Sequence, residues 1–118
     1  FQKNLKFAVI LNANAADKKK LRLINKIIEL IKRNHSIRLF KTKTEKDAKI
    51  VFKKLSVENF DRLVIAGGDG SMSFAINEMI NNNIDDKIMG YIPIGTANIL
   101  QIETKIKKEA TEIFNVLV

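Results

Sequence analysis

The sequence predicts a three-layer α/β/α domain with a mostly parallel sheet. Short apolar runs, typical of buried strands, alternate with segments whose apolar residues recur every three or four positions, as in amphipathic helices. This alternation repeats four times along the 118 residues. Because connections between parallel strands are right-handed and carry a helix, the alternation predicts helices packed against the faces of one sheet. A chain of this length is expected to form one hydrophobic core.

The predicted strands are short and rich in apolar and β-branched residues. They cover residues 7–11, 37–40, 63–66 and 88–92. The runs 7–11 and 63–66 are continuous and apolar, which is typical of strands buried on both faces of a parallel sheet. Gly67 ends the third strand and Pro93 closes the fourth, because glycine and proline commonly interrupt regular structure.

Each predicted strand is followed by a predicted helix. Asp17 is expected to cap the first helix, which ends at about Arg33. Thr44 begins the second helix, and Asp47 lies three residues after it, as in an acidic variant of the capping box. The third helix ends in a run of asparagines at 81–83. The predicted apolar faces of the third and fourth helices are Met72, Ala75, Ile76, Met79 and Ile80, and then Ala110, Ile113, Phe114 and Leu117.

Composition narrows the classes of function. The chain carries 21 Lys and Arg against 13 Asp and Glu, a net charge of +8, which favours polyanionic partners such as nucleotide phosphates and anionic lipid surfaces. There is no cysteine, so a disulfide framework and a thiolate metal site are excluded, and the cytoplasm is the expected compartment. Nucleic acid is not an expected partner, since the chain has one Tyr, no Trp and no recognisable nucleic-acid-binding module.

The unusual polar and small residues follow the predicted strands. Asn12 follows the first strand, Thr42 the second, 67–71 the third and 95–98 the fourth. Ligands of open parallel sheets bind beyond the carboxyl ends of the strands, where helix N-termini present free N–H groups. The sequence therefore predicts a ligand site that gathers residues from all of these loops.

The loop after the third strand is the strongest candidate for anion binding. Gly67, Gly68 and Gly70 lack a Cβ, so the backbone can take positive φ and approach a phosphate closely. Asp69 lies among them, where a carboxylate would repel phosphate unless it served a cation or accepted a proton. The alternative is a tight turn in which Asp69 caps the next helix, and the residues alone leave both open. Taken alone, the loop 95–98 is better explained as an ordinary turn whose polar residues bond to the local backbone.

The two loops together resemble a known family. Gly67-Gly68-Asp69-Gly70-Ser71, followed by Pro93-Ile94-Gly95-Thr96-Ala97-Asn98, is similar to the diacylglycerol kinase catalytic-domain family, which includes bacterial lipid kinases and the sphingosine and ceramide kinases. NAD kinases share a similar first loop, and the second loop favours the lipid kinases. The resemblance implies an ATP- and Mg²⁺-dependent lipid kinase with a diacylglycerol-kinase-like nucleotide-binding lobe.

The resemblance also implies roles for individual residues. Asp69 would be the catalytic residue or serve Mg²⁺, directly or through water. The implied nucleotide-binding residues are Asn12, Thr42, Gly67, Gly68, Asp69, Gly70, Ser71, Gly95, Thr96 and Asn98. Two segments depart from the family pattern, because 12–16 lacks its proline and glycine, and Ser73-Phe74 replaces a typical Asn-Glu pair.

Residues 1–118 are expected to be the nucleotide-binding lobe of a longer protein. Family members continue into a β-sandwich lobe, absent from this chain, that supplies much of the lipid pocket, so the lobe alone is expected to be a poor catalyst. The expected partners are ATP and a lipid acceptor at a membrane surface, with peripheral contact at the inner membrane, and a homodimer is left open. The alternatives are an NAD-kinase-like or other small-molecule kinase, and a non-catalytic nucleotide-binding module.

Three further residues are expected to be structural. His35 is expected in a surface loop, Met72 and Met79 on the core-facing side of the third helix, and Tyr91 in the packing of the fourth strand.

Overall fold

A computed structural model describes residues 4–12, 18–68 and 70–93 of the chain. Strands and helices alternate within these ranges, as predicted. The elements are β1 (Lys6–Asn12), α1 (Lys18–Lys32), β2 (Ser36–Thr42), α2 (Glu45–Leu55), β3 (Arg62–Gly67), α3 (Ser71–Asn81) and β4 (Ile88–Pro93). The predicted cap Asp17 and the predicted last helix, with its apolar positions 110–117, lie outside the described residues.

The strands form one sheet in the order β2-β1-β3-β4, and each neighbouring pair is parallel. The chain therefore begins inside the sheet, moves to one side for β2, and crosses back over β1 to reach β3 and β4. Right-handed crossovers that run in opposite directions place their helices on opposite faces. Accordingly, α1 packs on one face of the sheet, and α2 and α3 pack on the other. The predicted three-layer α/β/α architecture is confirmed.

The sheet separates two apolar cores, and its interior strand β1 contributes side chains to both. Its residues from Phe7 to Leu11 are all buried, as its continuous apolar sequence predicted. Successive side chains point to opposite faces, so Val9 joins the core under α1 and Ile10 joins the core under α2 and α3. The α1 side of the first core consists of Leu23, Ile24, Ile27, Ile28 and Ile31. α1, α2 and α3 all fall short of the length and hydrophobicity that a bilayer crossing demands.

The N-terminus of α2 has the predicted capping box. The Thr44 hydroxyl accepts a hydrogen bond from the Asp47 N–H at 3.1 Å. The Asp47 carboxylate in turn accepts from the N–H of Thr44 at 3.3 Å and from that of Lys43 at 3.1 Å. These bonds satisfy N–H groups that a helix start otherwise leaves without a partner inside the helix.

The orientation of α3 differs from the prediction. Ala75 and Met79 are buried, but Met72, Ile76 and Ile80 are exposed, and Glu78 is buried. The core-facing assignment is therefore confirmed for Met79 and wrong for Met72. Apolar residues occupy so much of this helix that their spacing alone does not select the side that meets the sheet.

His35 is buried rather than on the surface. Its Nδ1 accepts a hydrogen bond from the Leu5 N–H at 2.9 Å, and its ring lies 5.5 Å from that of Phe7. The predicted loop position is correct, since His35 lies between α1 and β2. The loop packs under the start of β1, and the imidazole satisfies a backbone donor there.

We expect Thr44→Ala to lower the free energy of unfolding by about 1 kcal/mol, because the first turn of α2 loses its side-chain cap. Urea denaturation measures the change. Lys49→Ala is the matched control on the exposed side of the same helix, and we expect it to stay within about 0.5 kcal/mol. Equal effects of the two substitutions would contradict a stabilising cap.

Candidate functional site

A pocket of about 350 Å³ opens at the carboxyl ends of β1, β2 and β3, on the face covered by α2 and α3. β1 continues to α1 on one face, whereas β3 continues to α3 on the other. The helices that follow these two neighbouring strands therefore lie on opposite faces of the sheet, and the direction of the chain reverses between the strands. Open parallel sheets bind ligands at such a point, where the direction of the chain reverses.

Residues predicted from separate loops meet at this pocket. Its lining includes Asn12, Thr42, Gly68, Gly70 and Ser71. Gly67, at the end of β3, lies directly behind this lining and against Ser71. The predicted residues Asp69, Gly95, Thr96 and Asn98 lie outside the described residues.

Asn12 and Thr42 form the β1 and β2 side of the pocket. They are partners in the parallel register of these strands. Thr42 is buried, and its hydroxyl donates to the carbonyl oxygen of Leu11 at 3.4 Å. Asn12 also reaches towards β3, since its Cβ would lie 3.7 Å from a Cβ placed on Gly67. The ends of all three strands are thus within reach of one ligand.

Gly67 is required for space rather than for a positive φ, whereas Gly68 and Gly70 are in open space. None of the glycines in the described ranges has a positive φ, so the left-handed backbone predicted for this loop is not found at Gly67, Gly68 or Gly70. A Cβ on Gly67 would lie 2.6 Å from the Cβ of Ser71 and closer still to its hydroxyl. At Gly68 and Gly70 a Cβ would meet nothing within 4 Å. Gly67 therefore permits close packing inside the protein, whereas Gly68 and Gly70 leave open space at the pocket.

The two helix starts at the pocket differ in charge. The first turn of α2 carries Glu45 and Asp47 and has the capping box. The N-cap of α3 is Gly70, not Asp69, and the first turn of α3 has no acidic residue and no bond from a capping side chain. The Ser71 N–H donates to the carbonyl oxygen of Gly68 at 3.0 Å, and the positive end of the helix dipole favours an anion at α3, beside Gly68 and Ser71.

Tyr91 holds the glycine loop from the neighbouring strand. Its hydroxyl lies 3.1 Å from the carbonyl oxygen of Gly67 and 2.8 Å from that of Gly68, and its one proton is shared between them. The sequence predicted only packing for Tyr91. The phenolic hydroxyl indicates that a tyrosine in a strand will form a hydrogen bond. The sequence does not show which carbonyl group accepts it.

The pocket is apolar at its floor and polar at its rim. Ile10, Phe52, Ile65 and Phe74 form much of the floor, and the rings of Phe52 and Phe74 meet edge to face with centroids 6.3 Å apart. Lys43 and Glu45 lie at the rim. No cluster of three metal-ligating side chains occurs within residues 4–12, 18–68 and 70–93. The part of the rim that the structure describes thus supplies one carboxylate.

We expect Gly67→Ala to lower the free energy of unfolding by about 1–3 kcal/mol, because the new Cβ overlaps Ser71. Gly68→Ala is the matched control in the open part of the loop. We expect it to raise stability by about 0.4–1 kcal/mol, since its φ suits alanine and the unfolded chain loses freedom. Urea denaturation compares the two, and equal midpoints would refute the steric distinction.

We expect Tyr91→Phe to loosen the glycine loop selectively. Losing the shared hydrogen bond should speed amide hydrogen exchange at Gly68 and Gly70 about fivefold, with little change in β1. Exchange followed by NMR or mass spectrometry measures this. Ile92→Val, on the next residue of β4 but in the other core, is the control. An equal change at the loop in this control would mean that general destabilisation, not the lost bond, is responsible.

Comparison with known proteins agrees with the geometry of the site. No curated protein sequence matches the chain. The model of one protein family, described as the diacylglycerol kinase catalytic domain, matches residues 6–118. This match spans both glycine loops and every element of the described fold, and the chain therefore belongs to the diacylglycerol kinase catalytic-domain family.

Proposed function

We propose that this domain binds ATP with Mg²⁺ and supports transfer of the γ-phosphoryl group to a lipid hydroxyl. Family membership gives a kinase-like catalytic domain. The observation that carries the finer proposal is the pocket at the carboxyl ends of β1, β2 and β3, where Gly68 and Gly70 leave open space beside the start of α3 and the N-cap residue has no side chain.

The phosphates would bind at the glycine loop. Gly68 and Gly70 leave room for a phosphate to approach the backbone, and Ser71 contributes a hydroxyl at the first turn of α3. The positive end of the helix dipole stabilises negative charge there. Phosphoryl transfer is catalysed mostly by positioning and charge stabilisation, so a rigid loop at this point is a suitable support.

The remaining predicted residues would complete the nucleotide site. Asn12 and Thr42 offer polar groups on the opposite side of the pocket, and the floor around Phe52 and Phe74 suits the flat apolar faces of a purine base. Gly95, Thr96 and Asn98, which follow β4 in the sequence, would add polar contacts to the phosphates or the ribose.

The donor set fits Mg²⁺ held chiefly by the nucleotide. Mg²⁺ is commonly bound by one or two carboxylates together with substrate phosphates and water, so a cage of three protein ligands is not required. Asp69, in the sequence of the glycine loop, would be that carboxylate, and a bound Mg²⁺ would neutralise charge on the phosphates. If Asp69 does not bind Mg²⁺, it is our candidate for the base that accepts the proton of the lipid hydroxyl.

The proposed reaction is a balanced group transfer. The lipid hydroxyl oxygen bonds to the γ-phosphorus, the bond from that phosphorus to the bridging β-γ oxygen breaks, and ADP leaves. The hydroxyl proton passes to a base. The pocket of about 350 Å³ has to be closed against water for efficient transfer, and a second lobe of the kind that the family resemblance implies would close it.

Calorimetric titration with ATP and ADP, with and without Mg²⁺, tests the nucleotide site. We expect Mg²⁺-dependent ATP binding that Asp69→Ala weakens about tenfold, the effect of losing one charge-assisted contact. Asp86→Ala is the matched control. Asp86 is exposed in the turn before β4, at the amino ends of the strands, whereas the pocket lies at their carboxyl ends. Equal weakening in the two variants, or binding without Mg²⁺ dependence, would contradict the proposal.

Transfer from radiolabelled ATP to diacylglycerol, sphingosine and NAD distinguishes the acceptor classes. Labelled lipid supports the proposed function. Labelled NAD would instead identify an NAD-kinase-like enzyme. ATP binding without any labelled product, in a protein that includes the second lobe, would identify a non-catalytic nucleotide-binding module.

A further inference from the structure

The outward side of α2 combines basic and apolar side chains. The lysines of α2 are all exposed. Ile50 on the same helix and Val57, two residues after its end, are 61% and 85% exposed. Single exposed apolar residues are common on soluble proteins, but these two share one surface with a set of cations. We name this surface the lysine face of α2, and it consists of Lys46, Lys49, Ile50, Lys53, Lys54 and Val57.

The helix geometry gathers these residues into one stripe. Lys46, Ile50 and Lys53 are spaced by four and three positions, opposite the buried side that holds Ala48, Phe52 and Leu55. The Val57 N–H bonds to the carbonyl of Lys54 at 3.3 Å. The last turn of the helix therefore continues far enough to keep Val57 on the stripe.

Two of the neighbouring acidic side chains are bound by other groups, and the third lies at the pocket. Asp47 is bound within the capping box, and Glu45 lies at the rim of the pocket. Glu58 forms an ion pair with Arg38. The lysine face of α2 therefore presents positive charge with apolar groups at its centre.

We propose that the lysine face of α2 docks on an anionic bilayer surface. Lysines near such a surface are attracted to its headgroups, and their long stems let the ammonium groups stay at headgroup level while the apolar side chains enter the interface. Nucleic acid would match the charge but would leave Ile50 and Val57 without an apolar environment.

Docking on this face has a consequence for the pocket, and that consequence rests on the proposed function. Glu45 and Ala48 of the same helix line the pocket, so its mouth would lie about 10 Å from the bilayer, one helix diameter away. A lipid hydroxyl at the interface would then be near bound ATP. The docking itself requires neither nucleotide nor turnover, so its failure is distinguishable from failure of the proposed function.

Co-sedimentation of the purified chain with vesicles tests the docking. We expect binding to phosphatidylcholine vesicles that contain phosphatidylglycerol, and little binding to phosphatidylcholine alone. Lys46→Gln with Lys53→Gln should lower the partition coefficient about 25-fold, or about fivefold for each lysine. The control, Arg22→Gln with Lys32→Gln, removes the same charge from exposed positions on α1, across the sheet, and should lower it less than about threefold.

A second pair of substitutions separates insertion from charge. Ile50→Ser with Val57→Ser leaves the net charge and the buried core unchanged, and should lower vesicle binding about tenfold. Equal losses from the two charge-removing pairs, or no loss from this apolar pair, would overturn the proposal. Binding that duplex DNA competes away, and that survives the apolar pair, would overturn it in favour of a nucleic-acid surface.

Discussion

The right-handedness of parallel crossovers is the constraint on which the rest of this structure depends. The chain begins inside the sheet and leaves β1 in one direction, and it later crosses back to build β3 and β4 on the other side. That reversal puts α1 and α2 on opposite faces and buries β1 from both sides. The pocket lies at the carboxyl ends of β1, β2 and β3, where the direction of the chain reverses. Its position follows from topology, whatever its ligand.

Short contacts between neighbouring strands then fix the glycine loop in that space. Gly67 lets the first residue of α3, Ser71, approach the end of β3 without a clash. Tyr91 holds the carbonyl groups of Gly67 and Gly68 from β4. These carbonyl groups bond inside the protein, and the open sides of Gly68 and Gly70 line the pocket. Groups held in place before a ligand binds lose less entropy on binding, so these bonds to the Gly67 and Gly68 carbonyls favour binding.

The sequence was informative where one local rule decided the outcome. Continuous apolar runs predicted the buried strands, and the spacing of two polar residues predicted the cap of α2. It was less informative where the outcome depends on contacts between distant parts of the chain. The apolar residues of α3 are spread over several sides of the helix, so the sequence alone does not show which side is buried. The burial of Glu78 and the exposure of Met72 are therefore decided by how the helix packs on the sheet. His35 and Tyr91 bond to residues 30, 24 and 23 positions away, and such partners become visible only in the folded chain.

The close approach of Gly67 and Ser71 also restricts how this loop can evolve. Any side chain at position 67 overlaps the Cβ of residue 71, whatever the rest of residue 71 is, unless that residue is also glycine. A side chain at position 67 is therefore free of this overlap only after position 71 has lost its own side chain, and with it the hydroxyl beside the pocket. Position 71, by contrast, can change while position 67 stays glycine, so the constraint acts in one direction only.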